Sequence, residues 1–223
     1  MALLDKALVV FSGGQDSTTC LHWALKQFKE IRALSFDYNQ RHKIELEAAR
    51  TICQNLKIPH HILDFSLFSQ IGGNALTDTM PIEGTQKSLP NTFVPGRNLM
   101  FLTAAAAYAY SYGINHLVTG VCQTDFSGYP DCRDDTIKAL QVAINLGMDS
   151  QFVIHTPLMW LNKAESVKLA LEVGAMDSLA YSHTCYEGVF PPCGVCPACI
   201  LRSKGFSEAG ILDPLQKRVS LCV

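Results

Sequence analysis

The chain alternates short apolar runs with longer segments in which apolar residues recur every three to four positions. Short apolar runs are typical of buried strands, and the longer spacing is typical of helices with one face in a core. The pattern predicts five strands, at 7–11, 31–38, 60–64, 116–121 and 152–156. It predicts five main helices, at 16–28, 43–56, 98–112, 133–146 and 163–173.

This alternation predicts a doubly wound α/β fold, in which helices cover both faces of a parallel sheet. Such sheets bind ligands at the carboxyl ends of their strands. Near the end of the chain the composition shifts toward Cys, Pro and Gly. We therefore predict an α/β domain over residues 1–181 and a small C-terminal module, packed on it, over residues 182–223. A long polar stretch between residues 65 and 95 is interpreted as a lid or an interface arm.

The six residues 12–17, Ser-Gly-Gly-Gln-Asp-Ser, follow the first predicted strand and lead into the first predicted helix. Glycines at such a turn let the backbone approach a ligand, and the amide groups of a helix N-terminus favour an anion. Phosphate is the anion that best fits such a loop. The segment differs from the common Gly-x-x-x-x-Gly-Lys-Ser/Thr loop, because no lysine follows the second glycine. A βα turn without a ligand is the competing interpretation.

The composition narrows the class of protein. Of the 223 residues, 48% are hydrophobic and 17% are charged, which is enough apolar surface for a large core. The net charge of −2 gives no overall indication of a nucleic-acid surface. No apolar run approaches the roughly 18 residues of a membrane helix, and no secretion signal is recognisable. We expect a cytoplasmic protein without membrane association, whose nine cysteines are not a disulfide framework.

Four cysteines near the end of the chain are spaced for a metal. Cys185, Cys193, Cys196 and Cys199 form the pattern Cys-x7-Cys-x2-Cys-x2-Cys. Four thiolates match tetrahedral Zn²⁺ coordination. Because sulfur fills all four positions and leaves none for a substrate or a water, the predicted role is structural. An iron–sulfur cluster is the alternative, since Cys-x2-Cys-x2-Cys also holds one.

Two polar segments of the predicted α/β domain are candidates for substrate contacts. Arg97 follows a Pro-Gly turn at the start of a predicted helix and can give a forked contact to phosphate. Asp125, Tyr129 and Asp131 lie on the loop before the helix at 133–146. They suit a guanine-like base, because a carboxylate accepts hydrogen bonds from its N1–H and amino edge while a ring stacks on its face. A surface arginine and a capped turn are the competing interpretations.

The order of these motifs resembles one enzyme family. The loop at 12–17 is similar to that of the PP-loop ATP pyrophosphatase superfamily. Three further motifs and the four-cysteine tail follow it in the chain: Val-Pro-Gly-Arg-Asn at 94–98, Asp-Phe-Ser-Gly-Tyr-Pro-Asp-Cys-Arg at 125–133 and Leu-Asn-Lys-Ala-Glu at 161–165. Taken together and in this order, the motifs resemble those of the 7-cyano-7-deazaguanine synthases of queuosine biosynthesis. The resemblance covers residues 7–206 and implies a doubly wound, adenine nucleotide alpha-hydrolase-like fold.

The resemblance implies an ATP-dependent ligase that converts 7-carboxy-7-deazaguanine and ammonia into 7-cyano-7-deazaguanine through adenylated carboxylate and amide intermediates. It implies Mg²⁺ with the ATP, structural zinc and no nucleic-acid partner. The implied catalytic residues are Asp16, as a Mg²⁺ ligand, and Arg97 and Lys163, which stabilise phosphate charge. The implied nucleotide-binding residues are Phe11, Ser12, Gly13, Gly14, Gln15, Asp16, Ser17, Thr18 and Arg97. The substrate-binding candidates stay Asp125, Tyr129 and Asp131.

Two other functions stay open from the sequence. The first is a PP-loop enzyme that adenylates a base in tRNA, for which Cys122 and Cys132 are the candidate catalytic pair. The second is a zinc- and nucleotide-binding module without turnover. Pyrophosphate release separates this module from both enzymatic functions. Because superfamily relatives often pair through helices and lids, a homodimer is a further expectation.

Overall fold

The computed structural model describes residues 3–40, 43–71, 93–124 and 129–221. Within these ranges lies a five-stranded parallel sheet with the order β3-β2-β1-β4-β5. The strands are β1 (Leu4–Val10), β2 (Phe28–Asp37), β3 (His60–Asp64), β4 (His116–Val118) and β5 (Val153–His155). The prediction of a doubly wound α/β fold is confirmed. The order switches direction between β1 and β4, which is where such folds bind ligands.

Helices alternate with the strands as the periodicity predicts. They are α1 (Gln15–Gln27), α2 (Ile44–Leu56), α3 (Leu67–Ile71), α4 (Arg97–Ser111), α5 (Asp134–Gly147), α6 (Lys163–Glu172), α7 (Met176–Leu179), α8 (Pro197–Ala209) and α9 (Pro214–Leu221). Helices α3, α7, α8 and α9 have no counterpart in the sequence prediction. Most of the proposed lid, and Asp125, lie outside the described residues. None of the helices in the described ranges is long and apolar enough to cross a membrane.

Alternation along the strands gives the sheet two apolar faces. Leu8 of β1 points to one face, whereas Ala7 and Val9 point to the other. The first face is covered by α4 and α5, and the second by α1 and α2. Helices on both faces bury the strands from either side, which explains why the strands appear in the sequence as nearly continuous apolar runs.

Strands β4 and β5 are shorter than predicted. Thr119 N–H donates a hydrogen bond to His155 O (3.0 Å), after which the chain leaves the sheet at Gly120. A Cβ at Gly120 would lie 3.1 Å from Ser17 N. Glycine therefore lets the segment after β4 pass unusually close to the start of α1, and both segments reach the same edge of the sheet.

The C-terminal helices pack directly on the α/β core. Phe206 of α8 shares an apolar cluster with Val167 and Ala170 of α6. Arg202 and Asp213, whose side chains are each 5% exposed, form a forked ion pair with N–O distances of 2.6 and 2.8 Å. The tail therefore packs on the main domain, as expected, and the predicted boundary after residue 181 stays a prediction.

Candidate active site

The loop between β1 and α1 is held in shape by its own hydroxyl groups. Ser12 Oγ lies 3.0 Å from Ser17 Oγ and accepts a hydrogen bond from Gly14 N–H (3.2 Å). Gly14 O accepts hydrogen bonds from Ser17 Oγ (3.2 Å) and Thr18 Oγ1 (2.8 Å). These contacts shape the loop at the N-terminus of α1, where the helix dipole and the unpaired amide groups of a first turn favour an anion.

Gly13 lets the loop lie against α2. Its φ is +87°, and a Cβ there would lie 2.7 Å from Ala49 N and closer still to Glu45 O. His183 N–H donates a hydrogen bond to Gly13 O (3.0 Å), so the segment after α7 also contacts the loop. Because these are backbone contacts, they fix the position of the loop without depending on flexible side chains.

Asp16 and Lys163 connect the loop to helix α6. Lys163 Nζ lies 2.7 Å from Asp16 Oδ2, and Lys163 is placed by a capping box between Asn162 and Glu165. In the described part of the chain, Asp16 Oδ1 and Gln15 Nε2 are buried without a hydrogen-bond partner. A buried carboxylate oxygen of this kind fits a cation, and a buried amide N–H fits a phosphate oxygen.

These groups border a cavity of about 350 Å³ at the carboxyl ends of the strands. A cavity of this size is typical of a small-molecule site. Seven residues predicted to bind the nucleotide line it, namely Phe11, Ser12, Gly14, Gln15, Asp16, Ser17 and Arg97. Gly13 and Thr18 are not among its lining residues and shape the loop instead. Lys163 also lines the cavity, so all three predicted catalytic side chains meet there.

Away from the loop, aromatic rings line the cavity around Arg97. The Arg97 guanidinium carbon lies 6.0 Å from the centre of the Tyr129 ring. The ring of Tyr38 lies 5.6 Å from that of Phe101, and burial raises the pKa of Tyr38 although the charge of Arg97 opposes the shift. A flat apolar wall with one cation suits a planar ring that carries a negative substituent.

Asp131 has a role that the sequence did not indicate. It is buried, and its Oδ2 accepts a hydrogen bond from Asn98 N–H (2.9 Å), so it caps the N-terminus of α4. It is not among the residues that line the cavity, whereas Tyr129 is. Because Asn98 directly follows Arg97, this contact fixes the helix start that carries the arginine. The base contact predicted for Asp131 stays a prediction, as does that of Asp125, which lies outside the described residues.

The four cysteine side chains predicted to bind metal come together in the tail. The Sγ atoms of Cys185, Cys193, Cys196 and Cys199 all lie within 4.8 Å of one another. A tetrahedral site with Zn–S bonds of about 2.3 Å separates its sulfurs by about 3.8 Å, so the cluster fits such an ion. Backbone N–H groups of Val195 and Cys196 lower the pKa of Cys193 to about 7, which favours the thiolate form that binds metals.

One cysteine of the cluster, Cys185, and residues near the cluster also form part of the cavity wall. Thr184, Cys185 and Tyr186 line the cavity, and Ala198 and Leu201 of α8 do so as well. This placement cannot be read from the cysteine spacing. It means that a metal bound by the cluster would stabilise one side of the site.

Glu45 is a cavity residue that no sequence motif indicated. It lies in the first turn of α2 and lines the cavity. Burial raises the pKa of Glu45 to about 7, while the charge of Arg97 acts in the opposite direction. The sequence could have indicated Glu45 as a site residue by its position shortly after the carboxyl end of β2, because ligands bind at that edge of a parallel sheet.

Cys122 and Cys132 line the same cavity, but their sulfur atoms take part in hydrogen bonds within the protein. Cys122 Sγ lies 3.1 Å from Thr124 Oγ1 and donates a hydrogen bond to Leu161 O (3.3 Å). Asn98 Nδ2 donates a hydrogen bond to Cys132 Sγ (3.3 Å). These contacts hold neighbouring segments together, so both cysteines have a structural explanation.

The fold, the loop and the cavity define a doubly wound α/β protein with a PP-loop-type fold. A 4-thiouridine synthetase solved in complex with RNA and bound ATP has a similar structure, with a TM-score of 0.53 and 19% identity. The similarity covers 96% of this chain and 53% of that chain, and it shows the shared fold.

The chain belongs to the family described as queuosine biosynthesis protein QueC, whose model matches residues 6–210. It is 60% identical over 220 residues to the 7-cyano-7-deazaguanine synthase of Laribacter hongkongensis, covering 97% of this chain and 96% of that protein. It is 57% identical over 207 residues to the synthase of the same name from Bacillus subtilis, covering 92% and 94% respectively. The resemblance inferred from the motifs is confirmed.

Proposed function

We propose that this protein catalyses the ATP-dependent conversion of 7-carboxy-7-deazaguanine and ammonia into 7-cyano-7-deazaguanine. The observation that carries the proposal is that the phosphate loop, the Asp16–Lys163 pair and the aromatic wall around Arg97 line one shared cavity. The first two suit the phosphates of ATP, and the third suits a planar carboxylated base. Family membership over nearly the whole chain supports the same activity.

In the first step, the substrate carboxylate attacks the α phosphorus of ATP and pyrophosphate leaves. Negative charge builds on the α phosphate and on the pyrophosphate, and the loop amides, Arg97 and Lys163 would stabilise it. Asp16, whose Oδ1 is buried and has no hydrogen-bond partner among the described residues, would hold Mg²⁺, which when bound neutralises phosphate charge. Holding both substrates in one cavity supplies the positioning that this bimolecular step needs.

The later steps reuse the same groups. Ammonia attacks the acyl carbon, a proton is lost and AMP leaves, which gives the amide. The amide oxygen then attacks the α phosphorus of a second ATP and pyrophosphate leaves. Loss of AMP and of both protons on the nitrogen gives the nitrile. No step needs a nucleophile from the protein, which agrees with the engaged sulfurs of Cys122 and Cys132.

We assign structural zinc to the four-cysteine cluster. Four thiolates leave no open coordination position, so the metal is assigned no role in activating a substrate. Its expected effect is to hold Cys185 and the neighbouring Thr184 and Tyr186 in the cavity wall.

A mass-spectrometric assay tests the proposal, with zinc-loaded protein, 7-carboxy-7-deazaguanine, ATP, Mg²⁺ and an ammonium salt. We expect the nitrile together with AMP and pyrophosphate. AMP formation with a tRNA acceptor but not with the deazaguanine would refute the substrate assignment and favour the tRNA-modifying alternative. No ATP consumption with any acceptor would refute both enzymatic functions.

A further inference from the structure

Two acidic side chains line the cavity among the described residues, and they differ in their contacts. Asp16 Oδ2 lies 2.7 Å from Lys163 Nζ. Glu45 also lines the cavity, yet no described residue donates a hydrogen bond to its carboxylate. None of the steps proposed above uses Glu45, so its presence in the cavity needs a separate explanation.

The backbone of Glu45 is fixed beside the phosphate loop. Its carbonyl oxygen lies too close to the position of a Cβ on Gly13 for that atom to fit, so helix α2 and the loop are in direct backbone contact at this point. The charge of Arg97 acts on the Glu45 side chain, and Arg97 lies in the aromatic wall beside Tyr38. The carboxylate is therefore carried on a rigid element, next to the surface that suits a planar base.

Among the described residues, no N–H or O–H group donates a hydrogen bond to the half-buried Glu45 carboxylate, which lines the cavity. Burial raises its pKa to about 7 even though Arg97 is near, because burial penalises the charged form. A ligand that presents two adjacent N–H groups in one plane would satisfy both carboxylate oxygens. The N1–H and 2-amino groups of a guanine-type base form such a pair.

We propose that Glu45 recognises the guanine-type edge of the substrate by accepting hydrogen bonds from its N1–H and 2-amino groups. This inference rests on the proposed function and adds the residue that selects the base. Under this proposal Glu45 recognises the base, and Asp131 positions Arg97 through its contact with Asn98 N–H.

Calorimetric binding of two probes to the metal-loaded protein tests the inference. The probes are 7-cyano-7-deazaguanine and its analogue without the 2-amino group. A site built around a substrate N–H rejects the analogue that lacks it, so we expect the wild type to bind the analogue at least about 10²-fold more weakly. Glu45→Gln should bind 7-cyano-7-deazaguanine about 10²-fold more weakly and discriminate between the probes less than about 5-fold.

Two further variants separate recognition from folding. Glu47→Gln changes an exposed residue on the same helix and should behave like the wild type. Glu45→Asp keeps the carboxylate, so it should retain more discrimination than Glu45→Gln. Melting temperatures of all variants identify any that fail to fold, and discrimination is compared among the folded ones.

Three results would overturn the inference. The first is equal discrimination by the wild type and Glu45→Gln. The second is a wild type that binds both probes equally. The third is a Glu45→Gln variant that binds both probes normally and turns over hydroxylamine normally but fails with ammonium, which would make Glu45 the acceptor of the ammonium proton. Failure of the proposed function looks different, because then the wild type would form no nitrile and bind neither probe.

Discussion

Alanine at Gly13 tests whether backbone contact with α2 sets the position of the phosphate loop. Gly13 has a φ of +87°, and a Cβ there would lie 2.7 Å from Ala49 N and closer to Glu45 O. Ordinary contact begins near 3.4 Å, so the loop or the helix must move by more than about 0.7 Å. Both atoms belong to the backbone of a helix, so no flexible side chain can absorb the movement.

The size of the expected effect follows from this displacement. A misplacement of about 1 Å at a positioning group costs on the order of 10²-fold in rate. We therefore expect Gly13→Ala to weaken ATP binding and to lower kcat/KM for ATP by about 10²-fold. The left-handed backbone adds a cost of roughly 1–2 kcal/mol to folding.

Gly174 provides the matched control. Its φ is +79°, and nothing lies within 4 Å of where its Cβ would be. Gly174→Ala should therefore show only the free-energy cost of a left-handed alanine. We expect a fall in melting temperature of about 2–8 °C and unchanged ATP kinetics. Calorimetric ATP binding, pyrophosphate release and thermal melts measure all three quantities. The reasoning would be refuted by a Gly13→Ala variant that keeps more than half of the wild-type kcat/KM, or by equal losses of activity in both variants.

Three further substitutions test other parts of the site. Asp16→Asn should lower the rate of pyrophosphate release, measured by a coupled assay, by at least about 10²-fold. It should change the free energy of unfolding, measured by urea denaturation, by less than about 1 kcal/mol. Asp213→Asn leaves buried Arg202 without a charged partner and should cost about 3–5 kcal/mol in urea denaturation; a loss below about 1 kcal/mol would contradict this. Cys196→Ser should lose bound zinc in elemental analysis and lower the melting temperature, whereas an unchanged melting temperature after metal loss would argue against a structural role.

Local patterns carry the parts of the fold that the sequence predicts well. Apolar periodicity reports which face of a segment is buried, so the five strands and the five main helices were identified to within a few residues. The ends of β4 and β5 depend on where Thr119 and Gly120 turn toward α1, which is a tertiary contact. Strand order and register depend on pairings between distant segments, and no local pattern encodes them.

The same distinction between local patterns and tertiary contacts holds within the site. The loop at 12–17 is contiguous, so its residue types and their spacing indicate phosphate binding directly. Glu45 reaches the cavity only because α2 packs on Gly13, and its sequence neighbourhood is that of an ordinary amphipathic helix. For Asp131 the loop composition suggested a ligand contact, whereas tertiary packing brings it to the N-terminus of α4.

The cavity is assembled from distant parts of the chain, and this gives the cysteine cluster its importance. The segment that carries Cys185 contacts the loop through the bond from His183 N–H to Gly13 O. The apolar cluster around the cysteines consists only of the cysteines themselves with Tyr186 and Ala198, among the described residues, so it supplies little core of its own. A bound metal can replace such a core, because its binding free energy becomes folding free energy. Loss of the metal should therefore release the cavity wall before it unfolds the sheet, which has two full apolar layers of its own.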